Sequence, residues 1–257
     1  MKITKAVSRT YLGLIYLFFY LPIIVLIIYS FNAAHYSLIW EGFTFKWYHQ
    51  LFADEDLWVA AYHSLMLGLS AATSSTLIGL ISAVCLYRYR FFGWHFLQTL
   101  VFVLILSPDI IMGAALLILF TFANFQLGFI SLLLAHISFC IPFVIVTAYS
   151  RLVSFDKNIF EAAKDLGASE WLIFRNIILP LMWPALFASW LLTFTLSLDD
   201  VIISYFVSGP EFQVLSLYIY SLVRSGITPE INALCTVIFS LTLIFIVLAQ
   251  LSLKKEN

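Results

Sequence analysis

Long, nearly unbroken apolar runs alternate with short polar stretches along the whole chain. Six runs, 11–31, 60–87, 96–125, 129–150, 184–207 and 232–253, reach the roughly 20 residues that a helix needs to cross a bilayer. Lipid offers no partner for backbone N–H and C=O groups, so each run is predicted to be a helix that satisfies its own backbone. A transmembrane barrel would instead show short segments of alternating polarity. The second and third runs are longer than one span, which predicts tilt or extension past the lipid. The expected fold class is an all-α membrane protein with six transmembrane helices.

Composition agrees. Charged residues make up 11% of the chain and the mean hydropathy is +1.01, whereas soluble domains carry about 25% charge. Basic residues set the orientation. With the N-terminus inside, Lys2, Lys5, Arg9, Arg88, Arg90, Arg151, Lys157, Lys164, Arg175, Lys254 and Lys255 are cytoplasmic, and Lys46 and Arg224 lie outside. Both termini are then cytoplasmic. The outer loops carry Glu41, Asp54, Glu55, Asp56, Glu211 and Glu230, an acidic mouth. The first run is too long for a signal-peptide core of about 7–15 residues, so it reads as an uncleaved span.

No Gly-, Ser- or Pro-rich linker divides the chain, so 1–257 reads as a single membrane domain, with 151–183 as a cytoplasmic loop within it. Ser64, Gly68, Ala72, Ser75, Gly79 and Ala83 form a small-residue face on the second span. Such a face admits a close neighbour helix; internal packing is expected, with a subunit interface as the alternative. Cys85, Cys140 and Cys235 read as small packing residues. Trp40, Trp47, Tyr48 and Trp58 in the first outer loop suit the headgroup region. A docking surface for an external partner is the alternative there, and Trp47 is also a candidate for the outer substrate path.

The polar stretch "EAAKDLGASEWLIFRNIILP" stands apart from the apolar runs. Asp156 is a good N-cap for a helix starting at Lys157. Ile159, Phe160, Ala163 and Leu166 share one face. Gly167 sits where a left-handed residue ends a helix. Ser169 is placed to cap a second helix through Trp171 to Ile178, with Pro180 and Pro184 marking its end. An amphipathic helix of this kind lies on a membrane, packs under its own bundle or docks in a partner's groove.

Asp109, Asp199 and Asp200 fall inside apolar runs. Each costs ~2.5–3.5 kcal/mol on insertion scales, and such acids usually mark a substrate path or a pairing partner. At 1.5 Å per residue, Asp109 is expected about 20 Å above the cytoplasmic end of its span and the aspartate pair about 22–24 Å. Thr193, Ser197, Asp200 and Ser204 read as a continuous polar stripe, which makes Asp200 the better path residue and leaves Asp199 to a structural partner. Pro108 should free a carbonyl near Leu104 to face a cation. Acids without basic companions suit a cation and disfavour an anion. Farther along, Tyr218, Tyr220 and Arg224 form either an outer gate, with Arg224 pairing to an acid when shut, or an interfacial anchor. His136, alone in the fourth span, is expected to bond a neighbour, and no histidine pair has metal-ligand spacing.

The polar stretch resembles the signature loop of ABC-importer permeases. Glu161, Ala162 and Ala163 are followed by three residues, Gly167, nine residues, and then Ile177, Leu179 and Pro180. The segments "YLPIIVLIIYSFN", "LYRYRF", "SPDI", "RLVSFDKNIFEAAKDLGAS", "FTLSLDDVIISYFVSGP" and "PEINAL" extend the resemblance to the spermidine/putrescine permeases, C-type subunits in particular. The resemblance implies a type I importer fold at the inner membrane. It assigns ATPase coupling to Glu161, Ala162, Ala163, Asp165, Gly167, Leu179 and Pro180. Asp109, Asp199, Asp200, Ser197, Tyr220, Arg224 and Trp47 are then the substrate-path candidates. It further implies a second homologous permease, two copies of a cytoplasmic ATP-binding subunit and an extracytoplasmic polyamine-binding protein, with no nucleic acid. No phosphate-binding G-x-x-x-x-G-K-[ST] loop occurs, so ATP and Mg are expected on the partner, no cofactor is expected in this chain, and no enzyme activity of its own. Three alternatives stand beside this reading. One is an ABC permease for another cationic solute, and a second is an ion-coupled transporter in which Asp109 and Asp200 carry protons. A membrane serine hydrolase is the weakest, because Ser208-Gly209 and Ser225-Gly226 lack a nearby histidine.

Overall fold

The structure is a computed structural model that describes residues 2–34, 39–156, 158–226 and 228–253. The helices in chain order are α1 (Lys2–Tyr29), α2 (Lys46–Ala53), α3 (Glu55–Arg88), α4 (Trp94–Leu106), α5 (Asp109–Phe122), α6 (Phe129–Val153), α7 (Asn158–Asp165), α8 (Glu170–Ile173), α9 (Leu179–Asp199), α10 (Ile202–Val207), α11 (Leu215–Ser225) and α12 (Pro229–Leu253). They fall into two compact units: residues up to Trp58 together with those from Ile219 onward, and Val59–Tyr218.

In the first unit, α12 packs against α1 and α2. The loop after α1 is folded around Asn32, whose amide donates to the Ile39 carbonyl (2.6 Å) and accepts from the Glu41 N–H (3.0 Å). The Trp47 indole is 4% exposed and donates to the Asn32 carbonyl at 2.7 Å. Trp47 is therefore an internal pin of this loop, where a headgroup anchor or a path-lining residue had been expected. Trp40 and Trp58 are exposed, as an interfacial role requires.

In the second unit, α6 is central and packs against α4, α9 and α10. Leu132, Ala135, Cys140, Val144, Ala148 and Leu152 bury its inner side. The small-residue face of α3 serves internal packing: Ala72, Ser75 and Ala83 are fully buried. A Cβ on Gly79 would stand 2.6 Å from Val144 Cβ, whereas one on Gly13 would meet nothing within 4 Å. Overpacking a filled core costs about 1–3 kcal/mol. Gly79→Ala is accordingly expected to lower the melting temperature of the detergent-solubilised protein by several degrees, and Gly13→Ala to leave it unchanged.

Four helical stretches, Arg9–Tyr29, Glu55–Arg88, Phe129–Val153 and Glu170–Asp199, are long and apolar enough to cross a membrane. The third predicted span, 96–125, is instead α4 and α5, bent by 112° at Ser107-Pro108. The residue before a proline is pushed out of the helical region, and Ser107 is extended with ψ 133. The bend removes the basis for placing Asp109 by helical rise. Nor is the Leu104 carbonyl left open, because it accepts from the Ser107 N–H at 3.3 Å.

The fifth predicted span also differs at both ends. Its helix begins at Glu170 and runs through a π-helical turn, Phe174–Ile178, into α9. Pro180 and Pro184 lie inside this helix rather than ending one. A proline clashes with the carbonyl four residues earlier in regular α-helix; the wider turn just before Pro180, where the Leu179 N–H reaches the Phe174 carbonyl, relieves that crowding. At the other end α9 stops at Asp199, and Asp200 is extended (φ −65, ψ 125) before α10 begins.

Candidate functional site

The α9–α10 break gathers Ser197, Asp200 and Ser204 with His136. Asp200 is 9% exposed. One carboxylate oxygen accepts from the Ile203 N–H (3.2 Å); the other accepts from the Ser204 N–H (2.7 Å) and Ser204 hydroxyl (2.8 Å). This is how an aspartate caps the start of a helix. His136 on α6 completes the cluster, with Nδ1 2.7 Å from Ser197 Oγ and Nε2 3.1 Å from Ser204 Oγ. The Ser204 hydroxyl proton is committed to Asp200, so Nε2–H donates to Ser204 and Nδ1 accepts from Ser197; the network itself assigns this tautomer. His136 Nε2 and Asp200 are 3.6 Å apart, too long for a hydrogen bond, and Ser204 bridges them.

This geometry exchanges the environments expected for the two neighbouring acids. Asp200 is the internally satisfied one, and Asp199 is exposed. Thr193, Ser197 and Ser204 are buried, so the polar stripe points into the bundle and is interrupted at Asp200. Asp199 lies within electrostatic range of both Asp200 and Asp109. Asp109 is half-buried in the first turn of α5, where the helix dipole favours a carboxylate, and α5 packs against α10. Asp109 and Asp199 thus each stand at a helix break, at the start of α5 and the end of α9. Tyr220 and Arg224 share one exposed face of α11 in the unit that also holds Trp47. The neighbour bond expected of His136 is a tie across the break, which its position alone does not reveal. The available signal was an Asp-Asp pair followed by a short apolar run, an N-cap pattern as well as a helical stripe.

The hairpin of α7 and α8 follows its capping signals, the predicted start at Lys157 lying outside the described residues. Asp156 accepts from the Asn158 N–H at 3.0 Å. Gly167 has φ +77, and its N–H and that of Ala168 close on the Lys164 and Ala163 carbonyls at 2.8 and 3.0 Å. Ser169 accepts from the Leu172 N–H at 3.3 Å. Phe160 is buried and Ala163 half-buried against Leu80, Leu152, Ile173 and Ile178. Ile159 and Leu166, expected on that same face, point outward, with Leu166 89% exposed. Glu161, Ala162 and Asp165 are exposed beside Leu166, Leu179 is half-buried and Pro180 exposed. Glu170 pairs with Arg88 and with Lys164 (3.1 Å), joining the hairpin to the end of α3.

Apolar helices long enough to cross a membrane, interrupted at carboxylates and joined by a capped polar hairpin, define a polytopic membrane protein of the transporter class. Residues 75–254 match the family described as "Binding-protein-dependent transport system inner membrane component". The chain is 52% identical to the spermidine/putrescine transport system permease protein PotC of Escherichia coli K12 over 243 residues, 95% of this chain and 92% of that protein. It is 49% identical to PotC of Haemophilus influenzae over 249 residues, 97% of each chain. A crystal structure of a bacterial alginate ABC transporter in complex with an alginate pentasaccharide-bound periplasmic protein superposes with a TM-score of 0.72 over 96% of this chain and 91% of that one, at 18% identity. The chain belongs to the ABC-importer permeases of the spermidine/putrescine family. It is a multi-pass protein of the inner membrane with the type I importer fold.

Proposed function

We propose that the chain moves polyamines inward by alternating access, with Asp109 and Asp199 as the carboxylates that hold the cation in passage. The observation that carries this reading is that both stand at helix breaks in a chain that holds no Lys or Arg between Arg90 and Arg151 or between Arg175 and Arg224. An exposed carboxylate at membrane depth needs water or a counter-charge. A polyamine supplies several ammonium groups on methylene stems, matched by charge and by aromatic faces. The relatives' names support the same substrate class.

The working assembly in this reading is this chain, a second homologous permease, two copies of a cytoplasmic ATP-binding subunit and an extracytoplasmic polyamine-binding protein. ATP and Mg sit on the partner. The exposed face of the hairpin, with Glu161, Ala162, Asp165 and Leu166, docks in the ATPase. The capped turn at Gly167 and the Glu170 ion pairs transmit that motion to α3 and α9. Tyr220 and Arg224 serve in this reading as a gate or an anchor. The test is ATP hydrolysis by the reconstituted assembly. Spermidine-loaded binding protein is expected to raise the rate severalfold over empty binding protein, and equal rates with both would overturn the reading.

A further inference from the structure

His136 spans the α9–α10 break. Its ring is 1% exposed and stands on α6, the helix that packs on both α9 and α10. Nδ1 engages Ser197, before the break, and Nε2 engages Ser204, after it. A neutral imidazole presents an acceptor and a donor on opposite ring edges, which is what bridging two hydroxyls demands. Ser204 passes the tie on to the Asp200 carboxylate. The Asp200 carbonyl, which has left the helical ladder, accepts from Ser216 Oγ at 2.6 Å. Asp200 is thus fixed through its side chain and its backbone, and the next residue back is Asp199.

We propose that His136 is a positioning residue for cation passage: by pinning the break at Asp200 it holds the Asp199 carboxyl outward at the end of α9. The proposal rests on the reading of Asp199 as a cation-holding group. A carboxylate fixed in advance binds without first losing conformational freedom, so affinity is gained through preorganisation. Breaking the tie leaves the charge of Asp199 in place and loosens its position. A histidine that merely filled the interior would change stability and transport without reference to Asp199.

The test is a double-variant cycle on ATP-dependent uptake of labelled spermidine by the complete importer in proteoliposomes. His136→Leu is expected to lower the uptake rate about tenfold, with normal recovery of the complex. His136→Gln, whose amide carries one acceptor and one donor, is expected to restore most of it. In an Asp199→Asn background, adding His136→Leu is expected to cause no further loss. An equal factor of loss in both backgrounds, or no loss in the wild-type background, overturns the proposal. Should His136→Leu fail to assemble, Ser204→Ala leaves the ring in place and carries the same expectations. Normal uptake by Asp199→Asn alone sinks the cation-holding reading, and the proposal with it. Should Asp199→Asn leave no measurable uptake, the thiol of an Asp199→Cys variant replaces transport as the readout. A cationic thiosulfonate is expected to modify it at least fivefold more slowly once His136→Leu is added, and an unchanged rate counts against the proposal.

Discussion

Replacing Asp109 and Asp199 together by asparagine is expected to reduce ATP-dependent polyamine uptake by two orders of magnitude or more while the complex still assembles. Asparagine keeps the shape of aspartate and removes the charge. A hydrogen bond to a charged group is worth about 1.5–3 kcal/mol, so two lost together amount to about 3–6 kcal/mol, a factor of about 100 or more. Neither acid anchors the fold as Asp200 does: Asp199 is exposed and Asp109 half-buried at a helix start. The measurement is initial uptake of labelled spermidine in proteoliposomes, with recovery of the complex followed by size-exclusion chromatography. Asp200→Asn separates the roles. Its carboxylate accepts from Ile203 N, Ser204 N and Ser204 Oγ, and an amide turns an NH2 donor toward part of that donor set. That variant is expected to lose protein yield and thermal stability first, and uptake in proportion to the folded complex remaining.

The second large effect is expected at the hairpin. Gly167 has φ +77, a region that costs an ordinary residue roughly 1–2 kcal/mol, and proline, fixed near −65°, cannot adopt it. Gly167→Pro also removes the N–H that closes on the Lys164 carbonyl. The turn between α7 and α8 then has no single geometry, although the buried anchors Phe160 and Ile173 remain. Uptake is expected to fall at least 100-fold while the protein still reaches the membrane, and binding protein should no longer stimulate hydrolysis. Glu161→Lys leaves the turn intact and reverses a charge on the exposed face. It is expected to give the same uncoupling in milder form, read as hydrolysis per molecule of spermidine transported.

The contrast between these two regions explains what was legible in the sequence. The hairpin is local: Asp156, Gly167 and Ser169 act within a few residues of themselves, so capping preferences place them correctly. Long apolar runs likewise pick out, from hydropathy alone, the four helices long and apolar enough to cross a membrane. The helix breaks are different. The apolar run resumes directly after Ser107-Pro108-Asp109, and a proline marks a kink without giving its angle of 112°. At Asp199-Asp200 the spacing of Thr193, Ser197, Asp200 and Ser204 fits an unbroken helix equally well. What decides against it is His136, 61 and 68 residues from its two serines, a tertiary partner that no local pattern contains. Trp47 was misjudged for the same reason, because its indole is taken by the Asn32 carbonyl 15 residues away.

In this reading an acid-lined path carries a cation and is worked by ATP through the hairpin. Side-by-side uptake of labelled spermidine and labelled sulfate into proteoliposomes bearing the complete assembly, with and without internal ATP, tests it most directly. Accumulation of spermidine alone, and only with ATP, is the predicted outcome. Accumulation of sulfate, or of spermidine at the same rate without ATP, would contradict it.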